Sequence, residues 1–575
     1  MAEQKPQRDG SGAAPEEFSP DQMNRVTAPP QLEDDEMRRR WGLGSRPKDR
    51  GPYMVELNVQ HVEGLMGAAR AFSALVAEVR PPGDGDEDRW RVTRISPEYF
   101  RCELTMSDWK RLVAADHRRA ADKAKRGESG SRSEFAHRAI YRLWPDFPVR
   151  PHISHSVTTI KGDAALRSFA SSGEGICWAV LDSGVDAGHP HFGPRNGRGQ
   201  HALRHPSVRA LHRCFVDVDG KPLPDPDEDL TDGQLTDDER GRRIERHQKA
   251  ALQDPFGHGT HVAGIIAGRA SAGVTNVVLE QQERIVLGDE DENEPRRRTV
   301  TEEKPFDAGR EEYHGVAPDC RLISLRVLDK DGGGRSSDIV RALVYIRERL
   351  NDNPKVFRVH GVNLSVGYDF DAEMFACGQS PLCSEVNRLV KAGVVVVTAA
   401  GNTGYSTLPT STRVAKVGLA NTINDPGNAE LAITVGSTHR DSPHTFGVSY
   451  FSSKGPTADG RPKPDLVAPG ERIRSCAAGS SRAKALDAVP REEGESDGPR
   501  EPAKGTAYYV ENSGTSMAAP HVSGAIAAFL SVHREFIGRP EEVKQVFLDS
   551  ATTLGRERYF QGHGLVDLMR AIQAV

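Results

Sequence analysis

Four short runs constrain this chain more than anything else in it. CWAVLD (177–182), RLISLRVLD (321–329), VHGVNLSV (359–366) and GVVVVTAAG (393–401) are apolar almost without alternation. A strand with one wet face alternates apolar and polar residues, so an unbroken apolar strand needs cover on both faces. Between them, SSDIVRALVYIRERL (336–350) places Ile339, Leu343, Ile346 and Leu350 at helical spacing, which gives one buried stripe. Such strands alternating with helices predict an α/β fold: a parallel sheet with helices on both sides, from about residue 151 onward.

The chain ahead of it has a different texture. Residues 1–49 are polar, Pro-rich and aperiodic, and read as a disordered tail. From 50 to 150 the order is strand (53–59), helix (62–79), strand–turn–strand (89–105), helix (106–116, with Ser107 as its cap) and strand (139–147). That βαββαβ order suggests a small α+β unit of the ferredoxin-like kind. Three charged stretches, 193–253, 277–312 and 480–507, interrupt the α/β part and are expected to be surface insertions, too polar for a core.

The net charge of −6 offers no footprint for nucleic acid or for an anionic membrane. No run approaches the roughly eighteen uninterrupted apolar residues of a membrane helix. The opening MAEQKPQRDGSGAAPEEF has no apolar h-region, so a secretory signal is not expected and the reading is cytoplasmic, with non-classical export left open. Seven scattered cysteines are no disulfide framework and suit a reducing compartment; Cys377 and Cys383 are near enough to pair if the protein is exported.

Three segments carry chemistry. In SGTSMAAPHVSGAIAAFL (513–530), Ser516 stands where a Gly-bearing turn meets an apolar helix. Backbone N–H groups at such a start face a developing oxyanion, although a serine there is also an ordinary N-cap. The first-turn position read for Pro520 makes it tolerable. In GHGTHVAGIIAG (257–268), His258 opens a second helix of small residues. Pairing with His261 as a metal site lacks the HExxH spacing and its glutamate, so His261 and His521 read as buried helix residues. In ICWAVLDSGVDAGHPHF (176–192), Asp182 ends a buried strand, at the sheet edge where ligand and catalytic groups gather in open α/β folds; alone it could equally cap a turn.

The order Asp…His…Ser across these segments resembles the subtilisin-like serine peptidase (subtilase) family, and no GxSxG elbow surrounds Ser516. HGVAPDCRLISLRVLDKDGGG (314–334), GVNLSVG (361–367), VVVVTAAGN (394–402), FSSKGPTADGRPKPDLVAPG (451–470) and YFQGHGLVDLMRAI (559–572) resemble the family as well. The resemblance covers about 157–575 and implies a serine endopeptidase. It implies Ser516 as nucleophile, His258 as general base then acid, and Asp182 as the group orienting the imidazole. Asn402 is the implied oxyanion donor, beside the Ser516 N–H. Ser365, Val366 and Gly367 match one wall of a groove that binds substrate by strand addition, and Ala400 and Gly401 the opposite wall, which suggests broad specificity. The 50–150 unit is the implied propeptide, an intramolecular inhibitor, so the enzyme would be made as a zymogen. Protein or peptide is the implied substrate, and a monomer is expected. No cofactor is required, and structural calcium is allowed with unknown ligands.

Asp182 and His258 are 76 positions apart, and the interval includes DPDEDLTDG (225–233). Asp225, Asp227 and Asp229 imitate an EF-hand start, but Leu230 replaces the turn glycine and Thr236 the closing glutamate, so the loop reads as solvated. Competing readings are a gated or inactive binding protein, an esterase or amidase, and a kexin-like processing enzyme.

Overall fold

The computed structural model describes every residue except 1–26, 29, 41–42, 45, 47, 80–89, 147–154, 195–200, 227–235, 287–295, 309–312, 354, 370–375, 410–413 and 492–497. The chain forms two compact units, Met1–Pro151 and His152–Val575.

In the first unit, β1 (Gly51–Leu57), α1 (Gly64–Val79), β2 (Thr93–Arg94), β3 (Tyr99–Leu104), α2 (Met106–Arg126) and β4 (Ile140–Pro145) follow one another. The strands form one sheet in the order β2-β3-β1-β4, every neighbouring pair antiparallel. Helix α2 runs ten residues past the expected end at 116, and its cap is Thr105 rather than Ser107. The reason is a capping box: the Asp108 N–H donates to Thr105 Oγ1, and the Thr105 N–H donates to the Asp108 carboxylate. Gly127, in the left-handed region, ends the helix. The expected tail is also corrected in part. Leu32 and Leu43 are buried in this unit's core, and buried Arg38 donates to the carbonyls of both and to Tyr53 Oη. Residues 1–26 lie outside the described set.

The second unit is built on β5 (Cys177–Asp182), β6 (Arg213–Cys214), α3 (Asp237–Ala251), α4 (His258–Ile266), β7 (Thr275–Val286), β8 (Arg296–Phe306) and β9 (Arg321–Arg326). Next come α5 (Ser336–Tyr345), β10 (Gly361–Leu364), α6 (Pro381–Lys391), β11 (Val395–Ala399) and the hairpin β12 (Tyr405–Pro409) and β13 (Val414–Gly418). The unit then continues through β14 (Ile433–Thr438), β15 (Leu466–Pro469), β16 (Ile473–Cys476), α7 (Gly479–Asp487), β17 (Thr506–Asn512) and α8 (Thr515–Val532). Seven strands make a parallel sheet in the order β15-β14-β11-β10-β5-β9-β6. All four apolar runs supply its central strands. Separate apolar cores lie on its two faces, one containing α4 and α8 and the other α5 and α6. Long and apolar enough to cross a membrane, α8 is instead 83% buried in the core.

The three charged stretches are more than surface loops. Strand β6, with its neighbours Leu203, Val208, Leu211 and Phe215, brings the first one into the core. Strands β7 and β8 come from the second and β17 partly from the third, and they form a second sheet in the order β16-β17-β7-β8. Val277, Val278 and Leu279 are buried there: three apolar residues suffice to seat a strand whose far end is charged.

Candidate active site

Three adjacent strands deliver their C-terminal ends to one edge of the sheet. Asp182 ends β5, Ser365–Gly367 follow β10, and Asn402 stands just beyond β11. His258 and Ser516 reach the same edge at the starts of α4 and α8. Parallel strands aim all their C-terminal loops one way, so this convergence follows from the topology.

Asp182 is fully buried, and its two carboxylate oxygens lie 2.8 and 2.9 Å from His258 Nδ1. A carboxylate only accepts, so Nδ1 carries the hydrogen and Nε2 is left with a free lone pair. Burial alone would lower the His258 pKa, but the Asp182 charge and hydrogen bond outweigh it, and the net shift is upward. The ring is 21% exposed, held at the mouth of the cleft.

Asp254, which the sequence reading missed, ties together the loops that carry Asp182 and His258. Oδ1 accepts from the Gly257 N–H (2.7 Å) and Ser183 Oγ (2.8 Å), and Oδ2 from the Thr260 N–H (2.7 Å) and Thr260 Oγ1 (2.6 Å). Ser183 Oγ also accepts from the Gly259 N–H at 3.0 Å, so residues on both sides of His258 are fixed to the neighbour of Asp182. Burial pushes the Asp254 carboxyl up, and its hydrogen bonds pull it back only in part. Gly257 is required at this junction: φ is +100°, and a Cβ would stand 2.2 Å from the Ala478 carbonyl oxygen.

Ser516 is held through a polar relay beneath α8. Ser523 Oγ donates to Asn363 Oδ1, Asn363 Nδ2 to Ser365 Oγ, and Ser365 Oγ to the Ser516 carbonyl, each at 2.9 Å. Pro520 explains why that carbonyl is available. The helix begins at Thr515, so Pro520 lies beyond its first turn, against expectation, and withholds the N–H that the Ser516 carbonyl would otherwise accept. The Ser516 hydroxyl donates back to the Ser365 carbonyl at 2.9 Å.

Asn402 is oriented by Thr515, the residue before Ser516. Its Oδ1 accepts from the Thr515 N–H (2.9 Å) and Thr515 Oγ1 (3.1 Å), which turns Nδ2 away as a free donor. Beside it, Gly401 (φ +107°) keeps the wall thin, since a Cβ would meet Asn424 Cγ at 2.7 Å.

His258, Asn402 and Ser516 line two adjoining depressions of about 450 and 310 Å³. The larger is walled by Ser365, Val366 and Gly367 on one side and by Ala399 and Gly401 on the other. Ala400, expected on that wall, is fully buried behind it, and its carbonyl accepts from the Asn424 N–H. His261 and His521 are buried and bonded to backbone carbonyls. Among the described residues no cluster of three or more His, Cys, Asp or Glu could hold a metal ion. Most of the acidic loop at 225–233 lies outside the described residues, and Asp225 is ion-paired with Arg213. All seven cysteines, Cys377 and Cys383 included, are free thiols.

The profile of the Subtilase family matches residues 173–564. Serine protease AprX of Bacillus subtilis is 30% identical over 376 residues, covering 64% of this chain and 66% of AprX. Pyrolysin of Pyrococcus furiosus is 30% identical over 350 residues, 55% of this chain but 21% of Pyrolysin. Subtilisin E of Bacillus subtilis is 25% identical over 422 residues, 73% of this chain and 71% of that protein.

Proposed function

This chain belongs to the subtilase family of serine peptidases, and from that premise we propose that it is an endopeptidase that cuts through an acyl-enzyme on Ser516. The observation that carries the proposal is the His258–Asp182 pair opening, with Ser516 and Asn402, onto one groove. The Ser516 hydroxyl turns from the Ser365 carbonyl to His258 Nε2, gives up its proton and attacks the scissile carbonyl. Positive charge on the imidazole is stabilised by buried Asp182 while Asn402 Nδ2 and the Ser516 N–H take the oxyanion. His258 then protonates the leaving amine. In the second half it takes a proton from water as that water attacks the ester, then gives it to Ser516 Oγ as the ester C–O bond breaks and the acid product leaves.

An extended substrate lies between Ser365–Gly367 and the Ala399–Gly401 wall, held largely through its backbone, which supports broad sequence tolerance. We assign the first unit the part of an inhibitor removed by processing. Its support is a compact unit joined to the peptidase through WPDFPVRPHISHS (144–156), whose three prolines favour extended backbone. Seven buried free thiols support a reducing, cytoplasmic setting.

The test is hydrolysis of a protein substrate by purified wild type and Ser516→Ala. Wild type is expected to cut the substrate and to shed its own N-terminal unit between roughly residues 140 and 160. The variant stays full length and inactive, and a 1–150 fragment inhibits the mature enzyme in trans. Equal activity of the two proteins would refute the mechanism. An uncut, fully active wild type would refute the zymogen alone.

A further inference from the structure

The chain as a whole is acidic, with a net charge of −6, yet its cleft is lined the other way. Apart from His258, the described lining of the larger depression includes a single charged side chain, Arg335, and that of the smaller one a single charged side chain, Lys484. No aspartate or glutamate lines either depression among the described residues. The two cations stand on different arms of the cleft. Arg335 shares its depression with Ser365–Gly367, whereas Lys484 shares the other with Ser480, Ser481 and Met517, and Ser516 belongs to both.

Acids close in sequence to each cation have partners of their own. Asp338, in the first turn of α5, faces Arg341 at 3.6 Å as well as Arg335. Asp331 pairs with Lys330 at 2.8 Å. Asp329 accepts the N–H groups of Asp331 and Gly333, both at 2.9 Å. On the other arm, Asp487 accepts the Arg500 N–H at 2.9 Å. Arg335 also sits just before the start of α5, where the backbone adds positive potential of the same sign. Lys484 has a further significance. It lies in the third charged stretch, read from sequence as a surface insertion, and α7 turns that stretch into one wall of the cleft.

We infer that this cleft selects polypeptides carrying acidic residues on both sides of the scissile bond, with Arg335 attracting carboxylates on one arm and Lys484 on the other. The inference rests on the endopeptidase reading and specifies its substrate class. Backbone pairing with the groove walls supplies tolerance of sequence, and the two cations bias the choice by charge. Both side chains are reachable by solvent, so each contributes about two- to fivefold in kcat/KM. That contribution fades at high ionic strength, where screening shortens the reach of a charge to about 3 Å.

The experiment uses the mature enzyme and fluorogenic peptides that share one cleavable centre, with Glu, Gln or Lys at the flanking positions of either side. Fluorophosphonate labelling counts competent active sites, so rates are compared per active enzyme. Wild type should prefer Glu over Lys on both sides, and 1 M salt should flatten the preference. Arg335→Glu should reverse it on one side only and Lys484→Glu on the other; Arg335→Gln and Lys484→Gln, milder changes, should abolish it side by side. Cleavage indifferent to flanking charge, or a Glu preference that survives both reversals, overturns the inference while leaving the peptidase intact. Wild type that takes the label but cuts none of the peptides removes the endopeptidase reading, and this inference with it.

Discussion

Replacing Asp254 by asparagine tests how the catalytic loops are held. The carboxylate is 5% exposed and accepts four hydrogen bonds, two at each oxygen. An asparagine amide puts two hydrogens where one oxygen was. A hydroxyl can turn round to accept one of them, but the Gly257 or Thr260 backbone N–H cannot. Whichever way the amide points, one buried N–H faces another donor, at a cost of about 1–3 kcal/mol. Losing the charge beside the start of α4 adds up to about 1 kcal/mol, so the total is about 1–4 kcal/mol. Thermal unfolding of Asp254→Asn in a Ser516→Ala background, where self-digestion is absent, should fall by several degrees. In the active background, loosening of Gly257 and Gly259 should lower kcat about tenfold or more with little change in KM. The Asp254 charge is also one of the influences raising the His258 pKa. Without it that pKa drops, and since only neutral imidazole accepts the serine proton, the acid limb of the pH–rate profile should move to lower pH. An unaltered melting temperature together with an unmoved acid limb would refute this reasoning.

Three further outcomes follow from the geometry. Asn402→Ala should lower kcat by about 10²–10³-fold with KM little changed, the usual size for one oxyanion donor, and a pure KM effect would make Asn402 a ground-state contact. Thr515→Val removes one of the two hydrogen bonds that aim the Asn402 amide, and should lower kcat in the same sense by a smaller factor, with KM as the control. Burial holds His189 and His212 at about 4, His191 and His261 at about 3 and His521 at about 4, all neutral in the folded chain. Below pH about 6.5 the unfolded state takes up protons that these rings refuse, so stability falls as pH drops, by up to about 1.4 kcal/mol per unit for each ring. Melting of Ser516→Ala between pH 7 and 4 should show that loss, and a flat profile would mean the rings titrate freely.

The parts of this protein visible in its sequence are those encoded locally. An unbroken apolar run can only be a strand covered on both faces, and the four runs form the centre of the seven-stranded sheet. Asp182, His258 and Ser516 each occupy a strand end or helix start that their neighbours define, which is why short motifs sufficed to find them. The supports were hidden because they join residues distant in sequence. Asn363 meets Ser523 across 160 positions, and Asp254 meets Ser183 across 71. Asp254 could have been suspected, standing four residues before a helix start with Thr260 just after it. Nothing local marks Asn363. The charged stretches misled for a different reason: composition averaged over 277–312 conceals Val277, Val278 and Leu279, and those three seat the strand. Thr105 caps α2 in place of Ser107 because Asp108, three residues after the threonine, closes the capping box.

The account stands most directly on the chemistry of one hydroxyl. Purified protein should be treated with a fluorophosphonate at pH 8, digested, and the adduct located by mass spectrometry. A single phosphonylated residue, Ser516, is expected, with labelling lost in Ser516→Ala and strongly slowed in His258→Ala. An adduct on another residue, or labelling that persists in Ser516→Ala, would contradict it.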